Sequence, residues 1–179
     1  MMSCTRDLVL ERFRWIGGHA DVWQIFRDRE ALAAVVRGLA GSFREDGVTA
    51  VCGIESRGFL LGAAAAVELG VGFVAVRKGE GILPGKKATR HSEPDYRGTR
   101  HELRLQRTAV GSEDRVLLVD DWIETGNQAS AVRSMVEECG GQWAGCSVVV
   151  DQTHPDRRAD LGVRSLVTAA DLPAGDGQV

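Results

Sequence analysis

A chain of 179 residues with 44% apolar and 26% charged side chains has enough material for one compact domain, and a composition unlike that of disordered or fibrous proteins. A net charge of −3 argues against general nucleic-acid affinity, and no apolar run approaches membrane-spanning length. The four cysteines (Cys4, Cys52, Cys139, Cys146) and four histidines (His19, His91, His101, His154) lack metal-ligand spacing, so structural zinc is not expected, and without an apolar signal region a cytoplasmic location is.

The first clear element follows Asp28. Leu32, Val35, Val36 and Leu39 recur at helical spacing within 29–43, and Asp28 is placed to cap that helix. Residues 48–52 read as a buried strand, 53–58 as a tight loop, and 59–69 as an alanine-rich helix stopped by Gly70. A second strand covers 71–76. Residues 79–98 have no period, and a loop of that length is usually functional. Alternation over 101–105 predicts one strand of a hairpin, and 115–120 is the third core strand. The helix over 127–139 places Ala129, Val132, Met135, Val136 and Cys139 on one face. Strands at 146–150 and 163–167 follow, and 174–179 reads as a frayed tail. Strands alternating with helices predict an α/β fold: a single domain over 1–173, with a central, mostly parallel sheet flanked by helices and right-handed crossovers.

Charge is unevenly placed. Residues 77–107 hold nine Lys and Arg against four acids, a net +5 that leaves the rest of the chain at −8. A basic insert in an acidic body suits a polyanionic ligand, although such runs are often only solvated loops.

The most informative stretch is Val-Leu-Leu-Val-Asp-Asp-Trp-Ile-Glu-Thr-Gly-Asn-Gln over 116–128. An apolar strand delivers Asp120 and Asp121, and a short loop (Glu124, Thr125, Gly126, Asn127, Gln128) then opens a helix. Carboxylates at a strand end accept hydrogen bonds from sugar hydroxyls, and unpaired N–H groups at a helix N-terminus favour a phosphate.

This stretch resembles the phosphoribosyl pyrophosphate (PRPP) signature of type I phosphoribosyltransferases. Gly-Ile-Glu-Ser-Arg-Gly-Phe over 53–59 resembles the diphosphate loop of the adenine enzymes in that family. Arg77-Lys78 with Leu83-Pro84-Gly85, and Asp95-Tyr96 with Glu102-Leu103, match further segments in order. The resemblance implies transfer of phosphoribose from PRPP to a purine or purine-like base, with magnesium carried by PRPP rather than held directly by protein. Asp120 and Asp121 would reach the metal at most through water. It implies PRPP-binding roles for Ser56, Arg57, Arg77, Lys78, Lys86, Asp120, Asp121, Glu124, Thr125, Gly126, Asn127 and Gln128, and a flexible lid over about 79–102 that brings Asp95 and Tyr96 to the reaction. Glu124 and Arg57 join them as catalytic candidates, and a homodimer is implied. No nucleic acid or membrane partner is expected.

Three positions depart from the signature: Trp122, Glu124 and Gln128. Hypoxanthine-guanine enzymes place an acid where Glu124 stands, which makes it a candidate general base or base contact. The expected base pocket is altered too, with His19, Ala20 and Gln152 at its walls, so the acceptor stays open between adenine and another base. Other readings stand beside these. Arg57 could pair with Glu55 or Glu68, Tyr96 could be a packing residue, and the four tryptophans could be core, with Trp122 the one beside the site. A PRPP-sensing regulator on the same fold, or an unrelated phosphosugar enzyme, are the alternative functions.

Overall fold

A computed structural model describes residues 4–79, 82–94 and 98–174. The chain opens with α1 (Thr5–Arg12), an antiparallel pair β1 (Arg14–Ile16) and β2 (His19–Asp21), and the short α2 (Trp23–Arg27). Next come α3 (Arg29–Gly41), β3 (Ala50–Ile54), α4 (Arg57–Leu69) and β4 (Gly72–Lys78). The hairpin β5 (Lys87–His91) and β6 (Glu102–Gln106) leads to β7 (Arg115–Ile123), α5 (Asn127–Glu138), β8 (Gln142–Asp151), α6 (Pro155–Leu161) and β9 (Val163–Thr168). Seven of these strands form one sheet in the order β5-β6-β4-β3-β7-β8-β9. From β4 to β9 neighbouring strands are parallel, while the β5–β6 edge runs antiparallel.

The predicted α/β class and all five core strands are present. Asp28 caps α3 by accepting from the N–H groups of Glu30 (3.0 Å) and Ala31 (2.9 Å), and Gly70 ends α4 in the left-handed region at φ 72°. Two differences matter. The aperiodic 79–98 segment contains β5, an edge strand with three of its five residues exposed, which alternation cannot reveal. The first 28 residues carry four elements of eight residues or fewer, too short for a periodic signal.

Sheet alternation divides the core. Val51, Leu117, Val119 and Val149 face a layer built from α1 to α4, whereas Cys52, Val116, Leu118 and Val148 face α5 and α6. Buried side chains such as Val132, Met135 and Leu161 each contribute about 1.5–3 kcal/mol. Cys52 and Cys146 are buried free thiols, and burial pushes both well above the ordinary thiol range. No described helix is long and apolar enough to cross a membrane.

The strand order positions the site. From β3 the chain continues to β4 on one side, while β7 lies on the other, so the order reverses between β3 and β7. Crevices form beyond the carboxyl ends of strands at such a switch point. Here the loop after β3 closes on itself: a Cβ on Gly53 would lie 2.0 Å from the Gly58 carbonyl oxygen. Only glycine permits that approach.

Candidate active site

Beyond β3 and β7 lies a cleft of about 540 Å³. One wall is Asp120, Asp121, Trp122 and Glu124–Gln128, and the other is Glu55, Ser56, Arg57 and Lys78. The acids sit inside β7 rather than at its end, because the strand runs on to Ile123. Its alternation slips there. Leu117, Val119 and Trp122 face one layer, whereas Leu118 and Ile123 face the other.

Asp121 is 5% exposed. Its N–H donates to Asp120 Oδ1 at 2.9 Å, and Arg57 Nε lies 3.0 Å from its Oδ2. Arg57 therefore pairs with neither Glu55 nor Glu68, which bind Arg77 and Arg44. The Arg57 contact is an ion pair without hydrogen-bond alignment, and Oδ2 is buried with no hydrogen-bond donor among the described residues. Such an acceptor is costly in the free protein and suits a ligand hydroxyl.

Burial, and then the adjacent Asp121 charge, hold the Asp120 carboxyl well above the usual carboxylate range, while Lys78 acts in the opposite sense. A carboxyl whose pKa rises on folding stabilises the protein below its unfolded value. That contribution is lost as pH climbs from about 4 toward the raised folded value. Asp120→Asn keeps the oxygen that accepts from Asp121 but cannot ionise. Its melting temperature relative to the unaltered protein is expected to rise through that window and then level off. A difference that stays flat from pH 3.5 to 8 would contradict the burial argument.

The loop before α5 is shaped for an anion. Gly126 has φ 76°, and a Cβ there would lie 2.8 Å from Leu161 Cδ1, so both conformation and space require glycine. Thr125 Oγ1 accepts from the Asn127 N–H at 3.3 Å. The N–H groups of Gln128 and Ala129 have no acceptor among the described residues, so the start of α5 offers free donors to the cleft. Asn127 Nδ2 donates to the Pro94 carbonyl at 2.8 Å, tying this loop to the segment after β5.

Across the cleft, Glu55 Oε2 accepts from the Lys78 N–H at 3.0 Å and from Arg77 Nε at 2.8 Å. These bonds, the backbone one first, lower its pKa. Arg77 is thereby turned to Glu55, and neither it nor the exposed Lys86 lines the cleft. Several cations of the basic insert are paired within the protein: Arg90 and Arg107 bind Glu138, and Arg104 binds Glu102. Of its nine cations only Lys78 lines the cleft among the described residues. Asp95 and Tyr96 lie outside the described residues.

A second cavity of about 490 Å³ adjoins the first and shares Arg57, Asp121, Trp122 and Glu124 with it. Its other walls are Trp15, Gly18, His19, Ala20 and Gln152. The three base-pocket candidates thus meet, although they come from β2 and the loop after β8. Trp15 and Gly18 belong to the same wall and had no assigned role in the sequence. The signal available was Gly17-Gly18, a hairpin turn with φ of 56° and 77° that folds β1 back over the site.

Among the described residues no three His, Cys, Asp or Glu side chains are grouped to hold a metal ion. The pair Asp120 and Asp121 fits a hard cation that brings most of its oxygen ligands with a phosphorylated substrate.

The model of the phosphoribosyl transferase domain matches residues 22–171. An adenine phosphoribosyltransferase of Nitrosospira multiformis is 40% identical over 141 residues, 79% of this chain and 79% of that protein. One of Kineococcus radiotolerans is 40% identical over 147 residues, covering 82% of this chain and 78% of the other. Among solved structures, the Giardia lamblia enzyme in complex with 9-deazaadenine superposes with a TM-score of 0.81 at 29% identity, over 93% of this chain and 98% of that one. The adenine phosphoribosyltransferase of Rhodothermus marinus gives 0.80 at 30% identity, over 92% and 98%. With the switch-point cleft and its acid pair, these likenesses show that the chain belongs to the phosphoribosyltransferase family, as a glycosyltransferase enzyme of the adenine phosphoribosyltransferase type.

Proposed function

We propose that the enzyme transfers the 5-phosphoribosyl group of PRPP to a nitrogen of adenine or a closely related purine, releasing pyrophosphate, as in purine salvage. The observation that carries this reading is the meeting, in one cleft, of free helix-start N–H groups, an acid pair whose buried member Asp121 has an orphaned oxygen, and the cations Arg57 and Lys78. The names of the relatives and the purine analogue in the Giardia complex support the acceptor class.

The 5′-phosphate fits the Thr125–Gln128 loop, where N–H groups and the helix dipole favour an anion. Asp121 and Asp120 accept from ribose hydroxyls and favour positive charge developing on the ring. Arg57 and Lys78, with Ser56, hold the diphosphate. As the base nitrogen bonds to C1, the C1–O bond breaks, its electron pair leaves with pyrophosphate, and Glu124 accepts the proton from the base. A magnesium ion fits as part of the substrate, bound by diphosphate and ribose oxygens with Asp120 and Asp121 at most through water, and would supply charge neutralisation. Residues 79–102, with Lys86, Asp95 and Tyr96, serve as a lid that keeps water from the cationic ring, and Arg77 joins the diphosphate site on closure. A cytoplasmic homodimer fits this reading.

Pyrophosphate release from PRPP, measured with adenine, hypoxanthine and guanine and with or without magnesium, tests the proposal. Release that depends on both a purine and magnesium is expected. No release with any of the three bases overturns it.

A further inference from the structure

The wall of the second cavity carries a pair of side chains, Trp122 and Gln152, whose polarity is fixed by chemistry. Trp122 Nε1 donates to Gln152 Oε1 at 3.1 Å. An indole N–H is a donor only, so it is the oxygen of the amide that must face it. The amide NH₂ is left on the other side, on a residue that lines the 490 Å³ cavity, and Nε2 has no acceptor among the described residues.

Both members of the pair are anchored. Gln152 donates its backbone N–H to the Ile123 carbonyl at 2.8 Å. Its neighbour Asp151 is buried and accepts from the Thr153 N–H (2.7 Å), Thr153 Oγ1 (2.6 Å) and Arg158. Trp122 lies against Phe13 and Trp15, with ring centroids 6.3 and 6.4 Å away, and Trp15 Nε1 donates to the Pro173 carbonyl at 2.8 Å. In the open cleft the Trp122–Gln152 bond competes with water. A base seated against this wall removes that water, and rotating the amide would then leave the indole N–H without an acceptor.

We infer that Trp122 is a positioning residue that fixes Gln152 as a one-way hydrogen-bond donor, so that this wall selects bases presenting a ring-nitrogen or carbonyl acceptor to it and disfavours an amino group there. The inference rests on the acceptor base occupying the second cavity, as proposed above. It assigns a selectivity role to Trp122, which otherwise reads as a bulky residue in a loop-forming motif. The carboxylate of Glu124 on the same cavity can only accept when ionised, so the two residues offer opposite polarities to one ligand.

The test deletes acceptors from the base and the donor from the protein together. Values of kcat/KM are measured for adenine, 1-deazaadenine, 3-deazaadenine and hypoxanthine, with the unaltered enzyme and with Gln152→Leu, Gln152→Glu and Trp122→Phe. In the unaltered enzyme at least one deaza analogue is expected to lose about three- to tenfold, the worth of one neutral hydrogen bond. That penalty disappears in Gln152→Leu, and in Gln152→Glu, which keeps the bond from Trp122 but offers no NH₂. Trp122→Phe, which retains an aromatic ring against Phe13 and Trp15, shrinks the penalty and narrows the ratio between adenine and hypoxanthine while leaving the KM for PRPP unchanged. Variants that slow all four bases by one common factor would overturn the inference while leaving the transferase reading intact. Failure of the unaltered enzyme to use any base overturns both.

Discussion

Asp121→Asn is expected to lower phosphoribosyl transfer by about 10²–10³-fold, the scale on which removing one oriented electrostatic contact to a transition state is felt. Three observations set the size. Asp121 is buried, so its charge acts in a medium of low polarisability; its Oδ2 lacks a hydrogen-bond donor among the described residues; and Arg57 stands 3.0 Å away. Asparagine preserves shape, so the domain stays folded, and relief of the repulsion with Asp120 offsets the lost ion pair to Arg57. Steady-state kinetics with a melting curve separate the effects: kcat falls sharply while the midpoint holds. If Asp120→Asn/Asp121→Asn together retained near-normal catalysis, the acid pair would have no part in the reaction.

The sequence made the acid pair conspicuous because a buried parallel strand leaves a continuous apolar run, and two carboxylates interrupt it abruptly. The same physics exposed β3, β7 and β8, and the capping chemistry of Asp28 and Gly70 is local enough to read directly. What was not legible depends on contacts distant in sequence. Arg57 offered Glu55 and Glu68 as near neighbours, yet its partner is Asp121, brought there by the parallel pairing of β3 with β7. The charge of 77–107 looked like a ligand-binding stripe, yet Arg90 and Arg107 share the Glu138 carboxylate of α5 once the hairpin packs beside that helix. Trp15 entered the wall of the second cavity only through a hairpin of two three-residue strands. Such contacts have no period and no local signature.

Glu124 carries the second large effect, and it separates two physical pictures of one residue. It lines both cavities, so its carboxylate stands between the loop that would hold the 5′-phosphate and the wall that would hold the base. If it serves the base, Glu124→Ala lowers turnover by about 10²-fold, the lower end of general-base catalysis, and PRPP affinity is unchanged because the phosphate is held by loop N–H groups. Glu124→Gln distinguishes proton transfer from simple contact. A base works only when ionised, so the unaltered enzyme loses kcat/KM as pH falls, and the glutamine variant, with no carboxylate to protonate, should show a flatter acidic limb at a lower plateau. Phosphate repulsion makes the opposite forecast. Removing a negative charge beside the phosphate loop would tighten PRPP binding, leave turnover and base preference as they were, and do so more strongly at low ionic strength. The proposed reaction favours the first outcome, because the proton released as the base nitrogen bonds to C1 would need an acceptor in the second cavity. Among the described residues, Glu124 and Asp121 are the carboxylates lining that cavity. Tighter PRPP binding with unaltered turnover in Glu124→Ala would assign that proton to water and leave Glu124 as a neighbour of the reaction only.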